Sequence, residues 1–337
     1  MAETKYLKVG VIGLGVGEAH IKSYKKIKNV EVVSICDLNT NRLNEIKKKY
    51  NIPNVATNYK KITEDKEIDV VSICSYDNYH AEQIISCLKN GKHVMVEKPA
   101  VLNSLEAENV IKELEKSRLY ITSNLILRKS PRFIKLKQMI QNKEFGEIFH
   151  IEGDYWHYIL HKITKGWRGE MDFYCTVYGG GIHLIDLMRW LLEDEIVEVC
   201  AMGSSIPTNL SKYKWVDTIT SIMKYKKGAT SKSTTSFAPI RNKFHSLNIY
   251  GTKKTFINDI PCGKLYNIGG DNVQPSNMGE IYPGTEKGDM LPDFINSIRH
   301  SKKPEVNEID IFRVMAICFA IWNSIEKKRL VKPEYII

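Results

Sequence analysis

The first 124 residues alternate between short apolar runs and amphipathic segments. The runs are rich in β-branched residues, which is typical of buried strands, and the segments between them carry apolar residues at helical spacing. Strands separated by helices predict βαβ units, a parallel sheet and a doubly wound α/β fold. The five predicted strands span residues 6–14, 30–37, 68–75, 93–99 and 119–124.

Capping signals mark the helices of this part. Asn39 or Thr40 is expected to cap the helix after the second strand, and Gly91 is expected to end the helix before the fourth. A further helix is predicted from Ser104, which precedes Leu105 and Glu106.

After residue 124 the pattern changes to strands of alternating polarity. Such alternation predicts an antiparallel sheet with one solvated face. The predicted strands span residues 148–157, 197–204, 218–225, 228–237, 245–252 and 254–259. Helices are predicted at residues 131–146, 180–192, 289–300 and 312–328. The stretch 261–288 is rich in Gly, Asn and Pro and predicts a long loop.

Composition narrows the protein class. Hydrophobic residues make up 43% and charged residues 26% of the 337 residues, as in an ordinary soluble protein. No apolar run approaches the ~18 residues of a transmembrane helix, so no membrane partner is expected. The polar N-terminus does not resemble a signal peptide, and the expected location is cytoplasmic. The seven cysteines are scattered without a CxxC pair, which argues against a disulfide framework or a metal site.

The formal net charge is +10, and most of the excess lies after residue 124. Such an excess fits nucleic acid, an anionic substrate or a general lysine bias. The lysines are dispersed and no basic helix interleaved with aromatic residues is visible, so we do not expect nucleic-acid binding.

A glycine-rich segment, residues 13–17, links the first strand to a helix. Gly13 fits a tight turn, and Gly15 lets the backbone approach a pyrophosphate at the helix N-terminus. The third glycine of the usual fingerprint is Glu18 here, and Gly17 is the candidate to replace it. Asp37 ends the second strand, where a carboxylate accepts ribose hydroxyls and favours NAD over NADP. The alternative is a glycine turn that only packs helix on strand, with Asp37 as a helix cap.

Glu97-Lys98-Pro99 follows the fourth strand, at the sheet edge where ligands of doubly wound folds bind. With this motif the chain resembles the glucose–fructose oxidoreductase/inositol dehydrogenase (Gfo/Idh/MocA) family over nearly its whole length. The matching segments are GLGVGEAH at 13–20, VVSICD at 32–37, VVSIC with His80 at 70–80, GKHVMVEKP at 91–99, RKSPRF at 128–133, FGEIFHIEGDYW at 145–156, GGGIHLID at 179–186 and NIYGTKKTF at 248–256.

The resemblance implies two domains. Residues 1–124 are expected to form an NAD-binding Rossmann domain. Residues 125–337 are expected to form a substrate-binding α/β domain with a large open, mostly antiparallel sheet. Through that sheet such proteins assemble, and a homodimer or homotetramer is expected. The implied chemistry is NAD(P)-dependent oxidation or reduction, commonly of sugars, inositols or nucleotide sugars.

The resemblance also implies catalytic roles. Lys98 matches the lysine near the nicotinamide and the reacting hydroxyl, and His183 matches the histidine that takes or returns the hydroxyl proton. Asp186 matches the acid of the HxxD element. Many dehydrogenases of the family carry an aspartate four residues before the histidine, where this chain has Gly179. Tyr174 and Tyr178 are candidates to supply a hydroxyl near His183 in its place.

Two residue sets summarise the expected site. The cofactor-binding residues are Gly13, Leu14, Gly15, Val16, Gly17, Asp37, Leu38, Arg42, Ser75, Tyr76, His80, Glu97, Lys98 and Asn124. The substrate-binding candidates are Lys98, Arg128, Tyr155, Trp167, Arg168, Tyr178 and His183. For several of these the alternative is ordinary packing: a core histidine, sheet aromatics, a surface loop, or an arginine that anchors the domain junction.

These features favour an NAD-dependent dehydrogenase acting on a secondary hydroxyl or ketone of a sugar. The basic second part favours a nucleotide sugar or another anionic sugar, with Arg168, Lys162 or Lys165 near the cleft. The alternatives are an NAD-dependent glycosidase of the same family and a non-catalytic NAD-binding regulator.

Overall fold

The apolar runs of the N-terminal part form a parallel sheet in the computed structural model, which describes residues 5–269 and 273–337. Within these residues six strands join in the order β3-β2-β1-β4-β5-β6, and every neighbouring pair is parallel. The strands are β1 Leu7–Ile12, β2 Val30–Cys36, β3 Asn54–Ala56, β4 Val70–Ile73, β5 His93–Val96 and β6 Ile121–Ser123. The predicted parallel, doubly wound architecture is confirmed. The short edge strand β3 is largely exposed and lacks the apolar run on which the prediction depends.

Helices connect these strands, and capping residues or a glycine mark several of their ends. They are α1 Gly17–Tyr24, α2 Thr40–Tyr50, α3 Lys60–Thr63, α4 His80–Lys89 and α5 Ser104–Leu114. Asn39 caps α2 by accepting the amide of Arg42 at 3.0 Å, as predicted. Asn103, one residue before the predicted signal, caps α5 by accepting the amide of Glu106. Gly91 follows α4 with φ +74°, which suits a helix-terminating glycine.

The second sheet is large and mostly antiparallel, as expected. Among the described residues its order is β14-β13-β12-β11-β7-β10-β9-β8, and only the β10–β7 pair is parallel. The strands are β7 Ile148–Trp156, β8 Ile196–Ser204, β9 Thr218–Tyr225, β10 Thr230–Ser236, β11 Phe244–Gly251, β12 Lys254–Ile257, β13 Gly263–Asn267 and β14 Ser276–Met278. The last two strands lie in the stretch predicted as a loop, of which residues 270–272 lie outside the described residues.

One face of this sheet is covered by a helix, and the opposite face is solvated. The remaining helices are α6 Pro131–Gln141, α7 Leu160–Thr164, α8 Trp167–Glu170, α9 Ile182–Leu192, α10 Leu291–Arg299 and α11 Glu308–Lys327. Most apolar residues of α9 are buried, and a Cβ at Gly153 of β7 would lie 3.0 Å from the sulfur of Met188. Along β9 buried and exposed residues alternate, which confirms the predicted solvated face.

The described residues fall into two units. The first takes the residues up to Ile126 with Glu286–Arg313 and Ile336–Ile337, and the second takes Leu127–Thr285 with Val314–Tyr335. The boundary between residues 124 and 125 stays a prediction. No helix among the described residues combines the length and hydropathy that crossing a membrane requires.

Candidate active site

The three glycines of the loop after β1 differ in the space that a side chain would meet at each position. Gly13 has φ +85°, and a Cβ there would overlap the carbonyl oxygen of Cys74. A Cβ at Gly17 would lie 2.8 Å from Val11, so this glycine brings α1 close to the sheet. A Cβ at Gly15 would meet no protein atom within 4 Å. The backbone at Gly15 is thus open to a ligand, as a pyrophosphate site requires.

The acidic residue at the end of β2 is hydrogen-bonded to this loop. Asp37 accepts the amide of Leu14 at 2.7 Å and, with its other oxygen, the amide of Asn39 at 2.8 Å. Leu38 next to it is exposed. A half-buried carboxylate at this place fits the ribose of a dinucleotide.

Arg42 of α2 forms an ion pair with Glu18 of α1, next to the glycine loop. The guanidinium of Arg42 pairs with Glu18 and lies 3.4 Å from the carbonyl oxygen of Leu14. Hydrogen bonds from Lys49, Arg42 and Tyr50 lower the pKa of Glu18 to about 2, against the opposing effect of burial. Glu18 therefore occupies the usual third-glycine position as a charged partner of α2, and Gly17 supplies the close packing.

Lys98 follows β5 and lies beside a buried polar cluster. Its neighbour Glu97 accepts the side-chain amide of Asn124 at 2.6 Å and lies 3.4 Å from Nε2 of His20. Burial raises the pKa of Glu97, but His20, Lys98 and Asn124 together outweigh burial and lower it to about 2. His20 continues the cluster to the hydroxyl of Ser72 at 3.2 Å. Lys98 is thus half-buried next to a carboxylate that stays charged at neutral pH.

His80 connects the chain after β4 to the chain after β5. Its Nδ1 lies 2.7 Å from the carbonyl oxygen of Pro99, and its Nε2 lies 3.2 Å from that of Ser75. The peptide bond between Lys98 and Pro99 is cis. Ser75 also donates to Gln83, whereas Tyr76 is exposed. His80 is fully buried, so its position suits holding the two loops and not contacting a ligand.

In the second unit, His183 lies on α9 within an aromatic cluster. Its ring stacks on Tyr155 of β7 with centroids 6.3 Å apart, and His245 of β11 lies edge-on at 6.5 Å. The hydroxyl of Tyr155 lies 3.2 Å from Nδ1 of His157. The structure therefore brings Tyr155 and His183 together, and their roles in one site stay a prediction.

His245 is a residue of this cluster that the sequence pattern did not single out. Its Nδ1 lies 2.8 Å from the hydroxyl of Tyr282, and burial, with the charges of Lys243 and His157, lowers its pKa to about 3. His245 pairs directly with Tyr155 across the β11–β7 ladder. The alternation that buries Leu247 and Ile249 also turns His245 inward, and this signal was present in the sequence.

Two of the remaining substrate candidates, Arg128 and Tyr178, are buried in contacts with other side chains of the protein. Arg128 is buried and forms a bidentate pair with Asp186, donating from Nε at 2.9 Å, which anchors α9. Tyr178 contacts Phe173 and Phe319 and is buried.

The other two candidates, Trp167 and Arg168, contact each other through a cation–π interaction. The guanidinium of Arg168 lies over the ring of Trp167 at 4.3 Å and over that of Tyr174 at 5.7 Å. Its Nε is buried without a hydrogen-bond partner among the described residues. Lys162 and Lys165 are exposed.

Comparisons with known proteins agree with both halves of the chain. Residues 7–125 match the model described as the oxidoreductase family with an NAD-binding Rossmann fold, and residues 133–257 match the GFO/IDH/MocA C-terminal domain. The cofactor assignment agrees with the open Gly15 and the Asp37 carboxylate described above.

Relatives align over nearly the full chain. Myo-inositol 2-dehydrogenase of Thermotoga maritima is 26% identical over an alignment 354 residues long, which covers 98% of this chain and 100% of that protein. A 4-carboxy-2-hydroxymuconate-6-semialdehyde dehydrogenase of a Sphingobium species is 26% identical over 320 residues, covering 92% and 96%. The structure of levoglucosan dehydrogenase with NADH and levoglucosan shares the fold, with a TM-score of 0.89, 21% identity and coverage of 98% and 100%.

Proposed function

This chain belongs to the GFO/IDH/MocA oxidoreductase family, and on that premise we propose that it is an NAD-dependent dehydrogenase of a sugar or polyol. The reaction moves a hydride between nicotinamide and a secondary hydroxyl or ketone. The observation that carries the proposal is Lys98 at the carboxyl end of β5, in the same parallel sheet as the glycine loop. The dehydrogenase names of the full-length relatives support it.

The chain's own groups account for cofactor binding. The loop at residues 13–17 and the first amides of α1 would hold the pyrophosphate, and Asp37 would accept the ribose hydroxyls. The negative charge of Asp37 disfavours a 2′-phosphate, so NAD is favoured over NADP. When bound, NAD supplies the hydride acceptor.

Lys98 and His183 are proposed as the catalytic residues. The Lys98 ammonium donates a hydrogen bond to the reacting oxygen and stabilises its developing negative charge. The His183 imidazole takes the hydroxyl proton during oxidation and returns it during reduction. The aromatic rings around His183 keep water away from the imidazole.

We further propose that the substrate carries an anionic group, as a nucleotide sugar or a sugar acid does. Arg168 has a buried Nε, and Lys243 lies 5.8 Å above the ring of Tyr155, which itself stacks on His183. Two cations over rings of the aromatic cluster that holds the proposed proton acceptor fit a phosphate or carboxylate. The relative from Sphingobium, whose name includes a carboxy group, supports the same class. A homodimer or homotetramer also remains proposed, supported by the exposed apolar Met202 and Ile222 on the open sheet face.

A substrate screen tests the function. Purified protein with NAD is incubated with inositols, neutral sugars, sugar acids, sugar phosphates and nucleotide sugars, and NADH is followed by absorbance. We expect NADH formation with at least one polyol or sugar and the highest kcat/KM for an anionic one. Cleavage of a glycoside without net NADH would instead identify a glycosidase. NAD binding without turnover on any of these compounds would favour a regulator.

A further inference from the structure

Gly179 lies one helical turn before His183, in the π-helical segment Val177–Gly181 that leads into α9. Residues four apart on a helix lie on the same face. A Cβ at position 179 would overlap the hydroxyl oxygen of Tyr174. The phenol therefore fills the volume in which a side chain at 179 would begin, next to the turn that carries His183.

Tyr174 is held firmly in this place. Its side chain is buried, and its carbonyl oxygen accepts the hydroxyl of Tyr213 at 2.9 Å. Its ring lies 6.4 Å from that of Phe237, and Phe237 lies 6.0 Å from Tyr155, which stacks on His183. The phenol thus belongs to the same aromatic cluster as the proposed proton acceptor.

We propose that Tyr174 is a positioning residue for His183, and that its hydroxyl replaces a polar side chain at position 179. The inference rests on the proposed dehydrogenase function, in which His183 moves a proton. A phenol is polar but neutral, so through its dipole and its packing in the cluster it orients the imidazole without adding the charge of a carboxylate. Gly179 is required because any larger residue would displace the phenol.

The charge difference gives the proposal a measurable signature. A carboxylate beside His183 raises the imidazole pKa through its charge, whereas the dipole of a neutral phenol changes that pKa by much less. The other polar groups of the cluster stay the same: Tyr155 on β7, His157 just after β7, His245 on β11, and the cations Arg168 and Lys243 over the cluster's rings.

Three variants test the arrangement: Tyr174→Phe, Tyr174→Ala and Tyr174→Ala with Gly179→Asp. Tyr225→Phe is the matched control, because it removes another buried tyrosine hydroxyl in the same unit. We expect Tyr174→Phe to lower kcat about tenfold to a hundredfold without changing NAD affinity, which is less than the ~10²–10⁴-fold of acid–base assistance itself, because His183 remains in place. The double variant should recover at least tenfold in kcat over Tyr174→Ala, because the truncated side chain leaves room for the aspartate.

Histidine NMR supplies a readout that needs no turnover. The His183 resonance, assigned with His183→Asn, should titrate at higher pH in the double variant than in the wild type, by about one pH unit. Its pKa should also shift in Tyr174→Phe and stay unchanged in Tyr225→Phe. Wild-type titration of His183 in Tyr174→Phe, or no recovery and no pKa rise in the double variant, would overturn the proposal. If the wild type oxidises no substrate, the dehydrogenase function fails, while the titration still decides whether Tyr174 positions His183.

Discussion

The Asp37 carboxylate accepts the main-chain amide of Leu14 at 2.7 Å, so the end of β2 is tied to the glycine loop after β1. The residue thereby fixes the loop, and we propose that it also presents negative charge toward the ribose of NAD. Asp37→Asn keeps an oxygen acceptor but removes the charge. We expect the NAD affinity to fall about tenfold to a hundredfold, as for loss of a charged hydrogen bond, and the preference for NAD over NADP to shrink. Isothermal titration with both cofactors measures this.

Asp69→Asn is the control for that substitution, because Asp69 also accepts a main-chain amide, that of Lys8 at 2.9 Å, outside the proposed site. It should leave both cofactor affinities unchanged. An Asp37→Asn protein with wild-type selectivity for NAD would contradict the role assigned to the charge.

The glycines of the loop should separate folding from binding. Gly13→Ala places a Cβ at positive φ against the Cys74 carbonyl, and we expect a loss of about 2–3 kcal/mol in the free energy of unfolding. Gly15→Ala meets only open space, so its stability should stay within about 0.5 kcal/mol of the wild type. Its NAD affinity should nevertheless fall at least tenfold. Urea denaturation and NAD titration of the two variants decide the point: the assignment fails if Gly15→Ala binds NAD normally.

Lys98→Met tests the proposed catalytic cation. The substitution keeps an unbranched side chain as far as Cε but removes the ammonium, and we expect kcat to fall by about 10³-fold, as when a charge-stabilising donor is lost. NAD affinity should change less than threefold. Lys92→Met, which alters another lysine of the same β5 region, should keep kcat near the wild-type value. Turnover by Lys98→Met close to that of the wild type would remove Lys98 from the mechanism.

The strands, the NAD loop and the acidic residue were predictable because each depends on residues close in sequence. The β-branched runs define β1, β2, β4 and β5, and the Gly13–Gly17 spacing marks the turn to α1. Tertiary pairing was not predictable in this way. The contact of Tyr155 with His245 requires β7 to pair with β11, and no local pattern specifies that register. For the same reason the volume filled by Tyr174 at Gly179 is visible only in three dimensions.

The cation over the aromatic cluster should determine the substrate class. Arg168→Gln removes the charge that lies over Trp167 and Tyr174 but retains hydrogen-bonding capacity. For an anionic substrate we expect KM to rise at least tenfold, consistent with ~1.5–3 kcal/mol for a charged hydrogen bond. For a neutral polyol KM should change less than threefold. Lys165→Gln, at an exposed lysine close by in sequence, is the control, and equal effects of Arg168→Gln on both substrates would exclude an anion site there.

His93 makes the stability of the first unit depend on pH. Its Nδ1 accepts the amide of Tyr120 at 3.0 Å, and the two rings stack with centroids 5.5 Å apart. Burial, assisted by the charge of Lys5, lowers the pKa of His93 to about 4. Between the ordinary histidine pKa and this value the unfolded chain binds a proton that the folded chain does not, so stability falls as the pH falls.

His93→Gln supplies an oxygen that accepts the Tyr120 amide but does not titrate in this range. From pH 8 to pH 4.5 we expect the wild type to lose about 2 kcal/mol more unfolding free energy than the variant. The wild type is compared with the variant because His245 also has a lowered pKa, and its contribution to the pH dependence of stability is the same in both proteins. Urea denaturation at several pH values measures it. A difference that stays constant across this range would show that His93 is protonated in the folded protein or that its protonation is not linked to folding.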